Sequence, residues 1–344
     1  MSGKRHHFIP KFLQKGFAIE EDSKTQKIWI YKKNSKTFPA NIIDSGVEGY
    51  FYGIDGDSKL DDEITKFEDK YGRLINSART ASLDTKLDKK SISKLIYNFE
   101  IRTRNLRQNF RESLNIVAQE LFTTLSNPEN YEKMLKGMVN DEVNKSIDKE
   151  CTKQGVPRPM LPLYRARFKN ELKEEIEKHI PLMYEQTKIF CDYSIKMLNE
   201  TLADKVKSAH INAMLDTSKQ KPAKLNWYEQ LEYSICETEN VEIPLGDSII
   251  LFHVKENRGF KSFLDSKKNL IAVILPISPK RIIYGTKHKH YIPDFSALKE
   301  AVISTSKEFF LFNTYDDYLD SLKDNISTNS HILSEEEIKN IVLS

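Results

Sequence analysis

The alternation of apolar and polar positions divides this chain into three parts: strands, a long helical middle, and strands again. Near the start, large side chains alternate with polar ones along 27–32, and shorter stretches at 37–43 and 50–52 repeat the pattern, which predicts a small antiparallel sheet. Past Trp227, short stretches rich in Ile, Val and Phe return. These predicted strands are 231–237, 248–254, 270–275, 282–285 and 309–312.

Between these strands the period of the apolar positions becomes helical. A first helix is predicted over 60–78, and a longer one starts with Ser91 as its N-cap and ends at Asn127-Pro128. A proline-rich loop at 155–162 interrupts the middle of the chain. The remaining predicted helices are 129–149, 165–178, 181–215, 295–304 and two short acidic helices near the end.

This order of elements indicates an α+β fold. We expect small N- and C-terminal antiparallel strands to form a sheet region packed on a long helical middle. We also expect residues 1–344 to be a single domain, with the helical middle at about 129–225.

The first 17 residues combine two adjacent histidines with many apolar side chains. A disposable terminus would be polar, so this segment is predicted to be tied into the core, which would hold His6 and His7 in place. The side chains expected to be buried are Phe8, Ile9, Phe12, Leu13 and Phe17.

Composition and charge narrow the class of protein only in part. Hydrophobic residues make up 39% of the 344 positions and charged residues 30%, so global disorder is not expected. The 53 basic and 50 acidic residues leave a net charge of +3, which argues neither for nor against a nucleic-acid partner.

Cysteine spacing and hydropathy predict the compartment. Cys151, Cys191 and Cys236 are widely spaced and form no Cys-x-x-Cys pair, which excludes a cysteine-rich zinc module and is typical of a reduced cytosol. No stretch reaches the roughly 18 continuous apolar residues of a membrane span. We therefore expect a cytoplasmic protein without a membrane partner.

The pair His6-His7, followed by x-x-Pro10, is similar to the start of the HNH nuclease signature, in which one histidine is a general base and its neighbour helps to hold a divalent metal. The chain has no Asn and downstream His at the spacing that such a unit needs. The alternative is that one imidazole packs inside while the other is solvated.

Two charged residues interrupt the apolar faces of consecutive predicted helices. Glu68 lies on the face of the first helix, and Arg102 lies close to the apolar stripe of the second. Because buried charges are costly unless they are paired, we expect Glu68 and Arg102 to meet. They would form either an internal salt bridge or part of a functional site.

Two further features carry candidate chemistry. Arg102, Arg104, Arg107 and Arg111 form a local basic segment that could contact the phosphates of a nucleic acid, although such a helix face is often only solvated. Asp247 ends a Pro-Leu-Gly-Asp turn, where the carboxylate would stand at the mouth of a strand or cap its own turn.

Taken in this order, these segments resemble the bacterial family catalogued as domain of unknown function 4238. The resemblance rests on His6-His7-x-x-Pro10, Glu68, Arg102-Thr103, Pro244-x-x-Asp247 and the Leu-Pro-Ile-Ser-Pro segment at 275–279. It implies one domain and a shared site and names no reaction. Family members resemble accessory genes of bacterial and phage origin, which implies a role in anti-phage defence or as a toxin.

Two functions are expected from different classes. The first is a metal-assisted phosphodiesterase, a nuclease, with His6, His7, Glu68, Arg102 and Asp247 as catalytic residues. In this hypothesis Mg²⁺ or Mn²⁺ is held by His6, His7 and Glu68. The alternative is a non-catalytic module that binds nucleic acid or protein and in which the same residues form a buried polar core.

Overall fold

A computed structural model describes residues 5–19, 26–53, 59–83, 85–219, 222–238, 240–255 and 259–343. The chain forms two compact units. The first contains Met1–Phe110 with Lys205–Leu333, and the second contains Arg111–Asp204 with Ser334–Ser344. The single-domain organisation expected from the sequence stays a prediction.

The strands among the described residues lie in the first unit, and their pairings are antiparallel. They are β1 Arg5–His7, β2 Lys27–Lys32, β3 Phe38–Asn41, β4 Val47–Gly49, β5 Glu232–Glu237, β6 Leu245–Gly246, β7 Leu251–Val254, β8 Phe260–Lys261, β9 Leu270–Ser278, β10 Arg281–Thr286 and β11 Phe309–Phe312.

Both ends of the chain contribute to one sheet, as expected from the sequence. The strand order β3-β2-β11-β6 places β11 between strands from distant parts of the sequence, with Phe310 opposite Tyr31. A second sheet has the order β5-β10-β9-β7-β8, and β1 pairs with β4. In β9, the apolar run from Ala272 to Ile277 is buried throughout, because both of its faces are covered.

The helices are α1 Lys11–Gln14, α2 Lys59–Thr80, α3 Lys89–Arg102, α4 Arg104–Leu125, α5 Pro128–Lys153, α6 Leu161–Lys219, α7 Leu225–Tyr228, α8 Phe295–Thr305, α9 Asp317–Ser321 and α10 Glu335–Leu343. Short 3₁₀ turns cover Lys15–Phe17, Arg158–Met160, Lys267–Asn269 and Leu322–Asn325. The predicted α+β class is confirmed. Among the described residues, no helix combines the length and the apolar character needed to cross a membrane.

The N-terminal segment is part of the main hydrophobic core, as predicted. Phe8, Ile9, Phe12, Leu13 and Phe17 are at most 8% exposed and pack with side chains of α2, α3 and β9. Burial of each such side chain stabilises the fold by roughly 1.5–3 kcal/mol.

Hydrogen bonds fix the path of this segment as well. Gln14 Nε2 donates to the carbonyls of Ile9 (2.8 Å) and Ser45 (3.0 Å), so its side-chain amide ties the segment to the turn before β4. Arg79 of α2 donates to the carbonyls of Phe12 (2.8 Å) and Leu13 (3.0 Å), at the end of α1.

The long helix predicted from Ser91 to Asn127 was wrong in two respects. Its N-cap is Asp88, whose carboxylate accepts from the Ser91 N–H at 2.9 Å. The helix also breaks at Thr103, where the backbone is extended and Oγ1 accepts from the Leu106 N–H at 3.3 Å. Because a Thr hydroxyl can cap a helix start, Thr103 ends α3 and begins α4.

Two other predicted boundaries were also wrong. The third N-terminal strand was expected at 50–52, but β4 ends at Gly49, and Tyr50 has a φ of +52° that no strand adopts. The helices expected at 165–178 and 181–215 form the single helix α6, in which Pro181 is internal. A proline inside a helix removes one hydrogen bond, and a helix of this length keeps its many others.

The second unit is helical. Asn127 caps α5 by accepting from the N–H groups of Glu129 and Asn130, and Pro128 occupies the first helical turn. Within this unit, Tyr184 Oη of α6 donates to the Ser126 carbonyl at 2.6 Å. The inner face of α6 is thereby fixed against the turn that joins α4 to α5.

Candidate functional site

The pairing of β1 with β4 decides the different surroundings of the two histidines. His6 lies opposite Glu48 and His7 opposite Val47. Because successive side chains of a strand point to opposite faces, His6 is 3% exposed while His7 is half-buried.

Hydrogen bonds select opposite tautomers for the two neutral imidazoles. The Tyr52 N–H donates to Nδ1 of His6 at 2.9 Å, so the proton of neutral His6 is on Nε2, which lies 3.8 Å from Asp61 Oδ1. His7 Nε2 lies 3.1 Å from the Ile43 carbonyl, which can only accept, so the Nδ1 of neutral His7 carries the lone pair.

Tyr52 links the histidine segment to the helices. Its hydroxyl donates to the His7 carbonyl at 2.6 Å, and its ring stacks on the His6 imidazole with centroids 5.2 Å apart. Burial is the largest cause that raises the pKa of this hydroxyl, so Tyr52 stays protonated and can donate.

Arg102 is the centre of this polar cluster, and its side chain is only 1% exposed. Nε donates to the Tyr52 hydroxyl, and Nη2 donates to the His7 carbonyl at 2.5 Å and to the Glu68 carboxylate. Burial alone would lower the pKa of Arg102, but Tyr52 and Glu68 together raise it above its ordinary value. The guanidinium is therefore charged.

The expected contact between Glu68 and Arg102 is thus confirmed. Hydrogen bonds of Tyr52 and Arg102 connect this pair to His6 and His7. The cluster is mostly closed to water: Arg102 and His6 are buried, while Glu68 has a side-chain exposure of 26%. His7 and Glu68 are its accessible members.

Asp247 takes part in a separate set of hydrogen bonds. Its carboxylate accepts from the N–H groups of Lys307 (2.7 Å), Glu308 (2.7 Å) and Phe309 (3.2 Å), at the start of β11. Asp247 is 4% exposed, and burial raises its pKa to about 6 against the effect of the three donors. The carboxylate therefore caps a distant segment at the start of β11, and not its own turn, which was one alternative expected from the sequence.

The expected basic surface around Arg102 needs correction. Arg107 is buried and donates to the Phe51 carbonyl (2.8 Å), Glu48 (3.2 Å) and His210 Nδ1 (3.1 Å). Arg104 pairs with Glu48 and Glu308, both at 3.1 Å.

Of the four arginines, Arg111 is exposed and belongs to the second unit. Arg104 and Arg107 are held by Glu48 of β4 and by Glu308 just before β11, and Arg102 pairs with Glu68 of α2, so these three do not form an open face.

The described residues offer few side chains that are arranged to bind a metal ion. No group of three or more His, Cys, Asp or Glu side chains that could hold a metal ion occurs among the residues described. Desolvation is the largest cause that lowers the pKa of His7 below its usual value, and Lys11 adds to it, so His7 is neutral at pH 7. The need for Mg²⁺ or Mn²⁺ stays a prediction.

A cleft of about 670 Å³ opens beside Arg102 in the first unit. We call it the Arg102 cleft; side chains of α2 and α3 line it together with Met214, Pro222, Leu225 and Glu229. Its lining includes the exposed lysines Lys66, Lys90 and Lys94 and the aromatic rings of Phe67, Tyr71 and Tyr97.

Polar atoms deep in this lining have unused hydrogen-bonding capacity. Nη1 of Arg102 and Oδ1 of Asn98 are buried and make no hydrogen bond with any residue that the structure describes. A buried polar atom of this kind usually has a partner, and a ligand or an ordered water can supply it.

Sequence reasoning missed several residues of this region. Tyr52 was seen only as part of a strand, since nothing in a local pattern shows where a hydroxyl points. For the lysines a signal existed: Lys90 and Lys94 are four residues apart and Asn98 follows after four more, so all three share one helix face. His210, which accepts from Arg107, carries no local signal at all.

Comparison with known proteins gives one informative result. The family model described as "Protein of unknown function (DUF4238)" matches residues 5–338, nearly the whole chain. The matched range includes every residue of the cluster and of the Arg102 cleft. No curated protein and no solved structure matches significantly.

Proposed function

Since this chain belongs to the family DUF4238, whose description names no activity, we propose its function from the site itself: it binds a phosphate-bearing ligand in the Arg102 cleft. The polar cluster behind the cleft then has a structural role. Nucleic acid is the ligand class expected from the sequence, and the cleft replaces the arginine segment as its binding site.

The observation that carries this proposal is Arg102 itself. The guanidinium is charged, 1% exposed, part of the cleft lining, and has one nitrogen that makes no hydrogen bond with a described residue. A guanidinium held rigidly by Tyr52 and Glu68 loses little entropy when it binds an oxyanion.

The charge around the opening favours the same class of ligand. Lys66, Lys90 and Lys94 are exposed, and their ammonium groups can attract a phosphate from solution. Glu63 and Glu229 also line the cleft, so positive charge outnumbers negative charge among its ionisable side chains by four to two.

The direct test is titration calorimetry of the full chain with inorganic phosphate, adenosine monophosphate and a 5′-phosphorylated single-stranded oligonucleotide. We expect binding of at least one probe, which weakens with added salt. The variants Lys66→Glu and Lys94→Glu should each weaken it about tenfold, or 1.4 kcal/mol.

Lys268→Glu is the matched control, because Lys268 is exposed and lies outside the cleft lining. It should bind like the wild type. No binding of any probe, or equal losses in all three variants, would reject the proposal.

A second candidate, hydrolysis of a phosphodiester, is favoured by the state of His7. Its imidazole is half-buried, neutral, and presents the Nδ1 lone pair of a general base. Desolvation lowers the pKa of His7, the Glu68 carboxylate opposes that effect, and Arg102 holds the carboxylate in place. The proposed defence or toxin role would follow from this activity.

Cleavage assays with single- and double-stranded DNA and RNA, with Mg²⁺ or Mn²⁺ and then with chelator, test this candidate. We expect His7→Ala to abolish cleavage, whereas Lys268→Glu keeps it. If no substrate is cut with either metal while the calorimetry shows binding, the protein is a binding module and the hydrolase candidate is wrong.

A further inference from the structure

The second unit exposes an apolar stripe on α6 that no described part of the chain covers. Its members are largely in contact with solvent: Leu182 61%, Met183 40%, Ile189 68%, Phe190 65%, Tyr193 62% and Met197 41% exposed. We call these six residues the α6 stripe. They recur at spacings of three, four and seven, so they lie on one side of the helix along about 24 Å.

The stripe lies away from the face that packs within the unit. Cys191, on the inner face, is 1% exposed. Thr187 lies within 3.0 Å of the Tyr131 hydroxyl, and Tyr184 packs edge-on against the Tyr131 ring. A helix with apolar residues on both sides needs two partners, and the described part of the unit supplies only the inner one.

Four exposed charged residues run along one flank of the stripe in alternating sign: Glu185, Lys188, Asp192 and Lys196. At 100° per residue all four project within an arc of about 80° on the same side. If a second copy of this helix ran antiparallel, with a two-fold axis near residue 190, Glu185 of one copy would lie opposite Lys196 of the other. Lys188 would likewise lie opposite Asp192. Every pair then joins opposite charges.

We propose that the α6 stripe is the interface of a homodimer, in which two copies of α6 pack antiparallel about a two-fold axis near Phe190. In an antiparallel pair of helices the same flank of both copies meets, so the charged flank pairs with itself. In a parallel pair it would face the opposite flank, where Thr187, Cys191 and Ser194 carry no charge.

The charges also argue against a lipid surface as the occupant. A helix that lies on a membrane is typically rich in Lys and Arg beside its apolar face, whereas this flank has two acidic and two basic residues. Self-complementary charge favours a second copy of the chain.

Sedimentation velocity of the full chain over a range of concentrations tests the proposal. We expect a monomer–dimer equilibrium, and Phe190→Glu should leave a monomer at all concentrations. Phe190 is exposed, so this variant should keep the far-ultraviolet circular dichroism of the wild type.

Charge reversal tests the antiparallel arrangement. Glu185→Lys and Lys196→Glu should each raise the dimer dissociation constant about tenfold, and the double variant should restore it. Alternating charges also stabilise a single helix through i, i+4 pairs. Only pairing between copies predicts recovery in the double variant, since the reversal of both charges does not repair the pairs within one helix.

Lys149→Glu, on an exposed position of α5, is the control and should dimerise like the wild type. A wild-type chain that is monomeric throughout, or a Phe190→Glu variant that still dimerises, would overturn the proposal. A double variant no better than the single ones would overturn the antiparallel arrangement.

Discussion

In most folded domains charged groups face water and apolar side chains are buried. Each unit of this chain departs from that distribution in a different way. The first buries charged groups: Glu100, Arg102 and Asp247 are at most 4% exposed. The second leaves apolar side chains in water, with Ile189 and Phe190 of α6 more than 60% exposed. Each departure is costly in isolation, so each points to a partner.

In the first unit the partners are in the same chain. Glu100 accepts from Lys224 (2.5 Å), the Tyr228 hydroxyl (2.6 Å) and the Leu264 N–H (2.9 Å). Burial raises the pKa of Glu100, and Lys224 opposes that effect. Arg102 also has hydrogen-bond partners within the described chain, except at Nη1. We therefore assign a ligand to that nitrogen.

In the second unit no described residue covers the α6 stripe, and we infer that its partner is a second copy of the chain. The described helices of this unit pack by one face, and six of the apolar side chains that remain exposed, the α6 stripe, share another face of α6. The comparison shows that a buried charge or an exposed apolar side chain indicates its role only when its contacts are also known. A buried charge with all its partners is structural, whereas an unsatisfied atom or an uncovered stripe indicates binding.

The largest expected effect is the loss of the buried guanidinium. Arg102→Leu removes the partner of Glu68, Tyr52 and the His7 carbonyl, and should destabilise the first unit by about 3–5 kcal/mol. Urea unfolding followed by tryptophan fluorescence measures this, because Trp29 and Trp227 both lie in the first unit.

Arg165→Leu provides the contrast from the second unit, where Arg165 pairs with Asp148 at the surface. It should leave the fluorescence transition unchanged. A stable Arg102→Leu variant would show that the buried cluster contributes nothing to the fold.

The next effect concerns the N-terminal segment. Leu13 is fully buried, so Leu13→Ala should cost about 2–5 kcal/mol through lost burial and the cavity left behind. The same fluorescence-detected unfolding applies. An unchanged midpoint would contradict the view that this segment belongs to the core.

The third prediction uses pH to test a buried carboxylate. The pKa of Asp247 is about 6 in the folded chain and about 4 when unfolded, so the folded state binds the proton more tightly. Its contribution to stability is therefore full below pH 4 and is lost as the pH rises through 6, by about 3 kcal/mol.

Asp247→Asn cannot titrate and provides the reference. The free energy of unfolding of the wild type, minus that of this variant, should fall between pH 4 and pH 7. A difference that rises with pH would mean that the three N–H donors outweigh burial and hold the pKa low.

The smallest effect is expected on the α6 stripe. Leu182 is 61% exposed, so Leu182→Ala should change the free energy of unfolding of the monomer by no more than about 0.5 kcal/mol. Thermal unfolding by circular dichroism at low protein concentration measures it. A loss as large as that of Leu13→Ala would mean that the stripe is covered within the chain.

Local patterns were sufficient for much of the fold. The helical period of α2, the apolar stretches of β9 and β11, and the apolar N-terminal segment all led to correct elements, because burial imposes a period on the sequence. The same reasoning brought Glu68 and Arg102 together, since two opposite charges on apolar faces are stable only as partners.

Local patterns failed where a side chain or a distant segment decided the outcome. The break at Thr103 depends on its hydroxyl accepting from Leu106, and a continuous apolar stripe across 92–121 concealed it. The basic segment from Arg102 to Arg111 was read as a surface because its acidic partners, Glu48 and Glu308, are far away in sequence.

The sequence by itself determined the α+β class, the family, the buried N-terminal segment and the pairing of Glu68 with Arg102, because burial and charge leave a periodic trace along the chain. Only the tertiary structure decided that Tyr52 joins the histidines to Arg102, that Asp247 caps β11, and that a cleft opens beside Arg102. Those outcomes depend on contacts between segments tens to hundreds of residues apart, and no local spacing encodes which of them will meet.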